Sequence, residues 1–284
     1  MIEFLLEPFA AGFTQRALLG GLLVAITCST VGVWVVLRSL AFITEALAHG
    51  VIPGIAIAAL MGGNLTVGAA ISAAVTVGGV SVVTNRTGLS EDTSTGLLFA
   101  GMLSLGVLII SRSASFQRDV TVFLFGDILG VTRADIEVQA VAAAIAIIVS
   151  AIMYRPFVAL AFDERKATLL GMRPRLARAA LLGLVGLVVV TAFRTVGSLL
   201  VFGLMVAPAS TATLLVRRVP AVMAVSLLLG MSAVVLGLGM SYHLRLAGSA
   251  AISATAVAQF FLVLGARAAI RALRPDRPVS PAIS

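Results

Sequence analysis

Apolar runs of bilayer-crossing length recur along almost the whole chain. Nothing else in the sequence restricts the fold so strongly. A helical crossing takes about 20 apolar residues. Such runs lie at 17–37, 45–62, 65–84, 94–111, 136–154, 179–193, 196–216, 221–241 and 247–266. The run at 179–193 is short, and 45–62 carries Pro53. A further stretch, Val120–Val131 (VTVFLFGDILGV), is too short to cross and predicts an interfacial or re-entrant helix. The expected fold is all-α, a polytopic membrane protein of eight or nine transmembrane helices.

The composition agrees. The chain has 284 residues, 60% of them hydrophobic and 11% charged, where a soluble domain carries about 25% charged residues. Its 27 glycines suit close helix packing in lipid, where small interfaces take over from the hydrophobic effect. A net charge of +8 would suggest nucleic acid in a soluble chain. Here the arginines gather in loops and tail, as cytoplasmic segments of membrane proteins do, so no nucleic-acid partner is expected. The single cysteine, Cys28, lies within a span, so there is no disulfide framework. The opening MIEFLLEPFAAGF lacks a basic region, so the first apolar run reads as a true span.

Arginine placement sets orientation. Residues 155–178 carry six Lys/Arg and 267–277 carry four, and both segments are expected inside. Counting back places Arg38 and Arg86 inside and the N-terminus outside. The chain divides into a membrane domain over 1–266 and a basic, Pro-rich cytoplasmic tail over 267–284.

A chain that drove its own transport with ATP would carry a Gly-rich P-loop ending in Lys-Ser/Thr. The one lysine, Lys166, sits in DERKA with no such loop before it. An intramembrane metalloprotease would show HExxH, and none is present.

The chemistry concentrates in TEALAHGVIPGIA, 44–56. Glu45 and His49 are spaced i, i+4 and share a helix face. His49 lies eleven residues past Arg38, roughly 16 Å along a helix and near mid-membrane. Pro53 then removes a backbone hydrogen bond and breaks or kinks the helix. Broken helices at depth are tolerated where they line a cavity or are buried in protein, and they commonly build ion sites. Carboxylate plus imidazole suits Zn²⁺, Mn²⁺ or Fe²⁺. A buried Glu–His pair that only ties two helices together has the same composition. Depth, pairing and the proline favour the ion site.

Weaker candidates remain. His243, in SYHLRLAG at an outer loop, is placed to receive metal at the mouth, although exposed loop histidines look alike. Asp127, in LFGDILG, either lines an entrance or is simply hydrated at the interface. Pro208 sits inside a span and predicts a second helix break, with Ser210, Thr211 and Thr213 near enough to re-satisfy freed carbonyls. The charged helix of FDERKATLLG, 162–171, lies in the largest cytoplasmic loop, where a transporter without its own ATPase would contact one.

These blocks resemble a known family. TEALAHGVIPGIA is similar to the GDALSHAVLPGVA signature of the zinc/manganese/iron permeases of ABC importers. TSTGLLFAGMLSLGVLIIS, FLFGDILGV, FDERKATLLGM and RTVGSLLVFGLMVAPASTATLLV follow in the family's order across roughly 10–265. The resemblance implies a homodimeric permease in the bacterial plasma (inner) membrane. It also implies a cytoplasmic ABC ATPase dimer beneath and an extracellular or periplasmic metal-binding protein that delivers the ion. It puts the metal-pathway acid and histidine on Glu45 and His49. ATPase coupling falls on Asp163, Glu164, Arg165, Lys166 and Gly171. No covalent cofactor is implied; the metal is cargo.

Two departures stand out. The family usually carries Asp at the position of Glu45. Its late Ser-Tyr-x-x-Asp pattern reads SYHLR here, with Arg245 in the acid's place. Two ligands from each of two protomers would make four, which suits tetrahedral Zn²⁺, whereas Mn²⁺ prefers more oxygen. The expected cargo is therefore zinc, with manganese or iron as the alternative. The competing class is a proton-coupled secondary transporter working through the same pair.

Overall fold

Three helices in the computed structural model begin at residues whose side chains cap them. The structure describes residues 12–111, 126, 128–162 and 173–272. The helices are α1 (Gly12–Leu37), α2 (Ala41–Gly50), α3 (Ile52–Leu60), α4 (Leu65–Thr87) and α5 (Glu91–Ile110). A 3₁₀ turn, Ile128–Gly130, precedes α6 (Arg133–Ile152), α7 (Tyr154–Phe162), α8 (Pro174–Leu215), α9 (Val219–Leu244) and α10 (Gly248–Ala272). Asn64 Oδ1 accepts the amides of Thr66 and Val67 at the start of α4. Ser90 caps α5 through the Thr93 amide, and Thr132 with Asp135 forms a capping box on α6. Each device satisfies amides that a helix start leaves without partners. Gly88, at φ 70°, closes α4 in the left-handed conformation that glycine adopts freely.

Among the described residues, eight helical segments are long and apolar enough to cross a membrane. α2 and α3 count as one of them, Ala41–Leu60. The central helix is α1, which packs on α6, α8 and α9. At its end Trp34 is fully buried, with Tyr154 and Phe157 set edge-on at centroid distances of 5.7 and 5.3 Å. Such pairs contribute about 0.5–1.5 kcal/mol beyond the area they bury. Arg38 donates to the Leu160 carbonyl near the end of α7, satisfying one of the acceptors a helix C-terminus leaves open.

The long helix α8 is two helices. Gly197 adopts φ 76° and ψ 165°, outside helical space. Arg178, before it, pairs with Glu91 at the start of α5. After it, Ala209 and Ala212 pack with Val33 and Val222 near the end of α1 and the start of α9. Both ends of α8 therefore lie at the arginine-rich end of the bundle, and 200–215 is a shorter return helix. With that shorter helix, the described residues hold one helical segment for each of the nine apolar runs.

Two expectations change. The helix runs unbroken through Pro208, and the interruption falls instead at Gly197. A chain can turn sharply at a glycine with positive φ, whereas here the proline is absorbed within the buried helix. The nearby hydroxyls do not serve the Leu204 carbonyl that Pro208 leaves without its donor. Thr211 donates to Ala207 O and Thr213 to Ser210 O, each at 2.7 Å. At the C-terminal side, α10 extends to Ala272. Of the proposed re-entrant stretch, Gly126 and Ile128–Val131 are described. Ile128 and Val131 are buried in the main core, and Gly126 lies so close to the backbone of Val196–Gly197 that a β-carbon would clash.

Candidate metal-binding pair

The site begins with an interruption of the helix ladder. Pro53 stands in the first turn of α3 and has no amide hydrogen, so the His49 carbonyl lacks its i+4 donor. The next rung would join the Gly54 amide to the Gly50 carbonyl. Here a hydroxyl from α4 takes that place. Ser72 Oγ donates to Gly50 O at 2.7 Å and accepts from the Gly54 amide at 3.3 Å. Thr76 Oγ1 donates to Ser72 O at 2.9 Å and lies 3.5 Å from Gly50 O. The regular pattern resumes with the Ile55 amide on Val51 O at 3.1 Å.

Glycines make this approach possible. A β-carbon on Gly50 would sit 2.6 Å from Thr76 Oγ1, and one on Gly54 would sit 2.6 Å from Ser72 Cβ. β-Carbons on Gly54 and Gly68 would each strike the other's carbonyl. The spacing is that of a small-residue helix crossing in lipid.

On another side of α2, His49 Nε2 lies 3.0 Å from Glu45 Oε1. His49 stands near the middle of the span Ala41–Leu60. Its ring meets Phe99 of α5 edge-on at 5.5 Å. The two side chains are 11% and 26% exposed, His49 the lower. His49 Nδ1 and Glu45 Oε2 are buried without a hydrogen-bond partner, an uncommon state for buried polar atoms. Two ligands about 2.1 Å from one ion, 90–110° apart, are themselves about 3.0–3.4 Å apart. An ion can thus replace the Nε2–Oε1 hydrogen bond with little movement of either side chain. No group of three or more His, Cys, Asp or Glu side chains that could hold a metal occurs among the described residues. Among the described residues the pair thus stands as two candidate ligands without a third His, Cys, Asp or Glu grouped with it.

The other candidates are elsewhere. His243 lies in the last turn of α9, edge-on to Tyr242 at 5.3 Å. The main neighbours of α9 are α1, α8 and α10, not α2. Arg245, the residue in the acid's place, forms the left-handed cap of α9 at φ 55°. Asp127 and the coupling residues Asp163, Glu164, Arg165, Lys166 and Gly171 lie outside the described residues. A cleft of about 920 Å³ between α4 and the first half of α8 also includes Ile43 and the Glu91–Arg178 pair. At 100° per residue, Ile43 is some 200° round α2 from Glu45, so the cleft is separate from the pair.

Sequence reasoning missed Ser72, Thr76 and Phe99. A serine and a threonine four apart in an apolar run are the only trace of the first two, and Phe99 carries none.

Comparison with known proteins places this architecture. Residues 10–267 match the family model described as "ABC 3 transport family". The "Manganese transport system membrane protein MntC" of Listeria innocua is 32% identical over 251 residues, 88% of this chain and 89% of that protein. The "Probable iron transport system membrane protein" of Haemophilus influenzae is 31% identical over 264 residues, 93% of this chain and 97% of that one. Among solved structures, a chain of "PsaBC from Streptococcus pneumoniae in complex with Fab" superposes with a TM-score of 0.84 at 28% identity, covering 93% of this chain and 95% of that one.

Proposed function

The chain belongs to the ABC 3 transport family, and from that premise we propose that it is the membrane permease subunit of an ATP-driven importer of a divalent transition metal. The observation that carries this reading is the Glu45–His49 pair near mid-span. Ionisable groups at that depth are costly and persist where they serve a pathway or a partner. An imidazole and a carboxylate oxygen suit first-row divalent ions. We read the cargo as Mn²⁺ or Fe²⁺. The relatives are named for manganese and iron, and none of these carries zinc in its name. The preference for zinc rested on a count of four ligands, which water or a carbonyl oxygen could extend to the larger shell manganese takes.

Two ligands per protomer call for a second copy, whose symmetry would present the same pair from the other side. Hydrolysis belongs to a separate ATPase dimer contacting 163–171, with an external metal-binding protein delivering the ion. Reconstitution in proteoliposomes with the ATPase partner tests the reading. Uptake of Mn²⁺ or Fe²⁺ that requires ATP and exceeds uptake of Zn²⁺ is expected. Uptake driven by a proton gradient without ATP would establish the secondary-transporter reading instead.

A further inference from the structure

We propose that Ser72 is a positioning residue for the metal pair: its hydroxyl stands in for a missing rung of the helix that carries His49. The inference rests on the metal-site reading above. Three observations converge on it. Ser72 is 4% exposed and Thr76 fully buried, so neither hydroxyl has water to turn to. Ser72 Oγ bridges Gly50 O and the Gly54 amide, the two groups that an unbroken helix would join directly. The bridged residue Gly50 immediately follows His49 in the chain.

The physical consequence concerns direction. A hydroxyl set between donor and acceptor lengthens the i to i+4 separation beyond that of a direct hydrogen bond. An opening of the ladder on the face toward α4 would lean α2 relative to α3. Pro53 resists closure because its ring clashes with the His49 carbonyl. The proline forces the opening, and the serine occupies it at one defined width. The bearing of α2 fixes where the Glu45–His49 pair it carries stands against Phe99 of α5. Without the hydroxyl, Gly50 O and the Gly54 amide must find each other or go unpaired in a membrane interior, and either outcome turns α2. Outer groups that orient a ligand typically change metal affinity about 10–100-fold when removed.

The test is Mn²⁺ binding to the purified full-length chain, followed by loss of the free-ion electron paramagnetic resonance signal. Thermal unfolding is measured on the same samples. Ser72→Ala is expected to raise the Kd for Mn²⁺ about tenfold or more in protein that remains folded. Ser72→Cys, close in shape but a weak hydrogen-bonding group, should fall between wild type and Ser72→Ala. Threonine is a poor rescue because the Ser72 β-carbon lies against Gly54. A purely structural serine would lower the unfolding temperature and leave the Kd of the folded fraction unchanged, and that result overturns the inference. If Ser72→Ala does not fold, an unchanged Kd in Ser72→Cys overturns it and a raised one supports it. His49→Ala is the control. Wild-type Mn²⁺ binding in that variant refutes the site itself, whereas loss there with unchanged Ser72 variants refutes only the positioning role.

Discussion

His49 Nε2 stands 3.0 Å from Glu45 Oε1 one helical turn away, and the remaining heteroatom of each side chain is buried with no protein partner. The pair is thus closed on itself in a way an entering ion can reverse. Each group would exchange a hydrogen bond for a metal bond, while Phe99 keeps the imidazole from swinging away.

His49→Ala should remove metal uptake in proteoliposomes by about a hundredfold or more, at or beyond the upper end of what loss of an outer-shell group produces. Assembly, read by size-exclusion chromatography with light scattering, should be unaltered. Uptake at the wild-type rate would withdraw the site assignment.

Glu45→Asp shortens the arm by one methylene and installs the residue typical of the related permeases. Uptake should persist while the ratio of Mn²⁺ to Zn²⁺ transport changes, because the carboxylate sits farther from His49 and the bite of the pair widens. Competition uptake with both ions measures it. An unchanged ratio would show that this arm does not set selectivity.

Gly54→Ala and Gly68→Ala each drive a methyl group into a backbone carbonyl of the facing helix. Overpacking of this kind costs about 1–3 kcal/mol, so the unfolding temperature in detergent should fall in both. Gly101→Ala, where nothing lies within 4 Å of the added carbon, should leave it unchanged.

Glu91 and Arg178, which line the 920 Å³ cleft, pair with each other, with side chains 32% and 36% exposed. Screening limits such a pair to about 0.2–1 kcal/mol. Glu91→Arg and Arg178→Glu should each lower stability modestly, and the double exchange should restore it. Absence of any coupling energy in the double-mutant cycle would mean the contact is incidental.

Charge reversal across Asp163–Lys166 should release the ATPase subunit without changing Mn²⁺ binding by the permease. Co-purification of the two subunits and metal-stimulated ATP hydrolysis report it together. Undiminished stimulation would dismiss the coupling role of this segment.

Much was legible in the chain because the bilayer makes local demands. The apolar runs had to be helices, because no other backbone satisfies its own polar groups in lipid. Glu45 and His49 could be paired from spacing alone, since four residues is one turn. Pro53 marked an interruption for the same reason. Pro208 misled because a proline removes one donor wherever it stands, but whether a helix bends there depends on what packs around it. Gly197, one of 27 glycines, gave no sign that it alone would carry the non-helical turn of α8.

The sequence by itself determined the all-α membrane architecture and the spacing of one acid–imidazole pair, because these follow from hydrophobic length and helical period. Tertiary structure decided that Ser72, 18 residues beyond Gly54, enters the ladder beside His49, that Phe99 faces the imidazole, and that α8 doubles back. Those relationships join residues remote in sequence. They arise from which helix surfaces lie close enough for a hydroxyl to reach a carbonyl, and no local pattern encodes that distance.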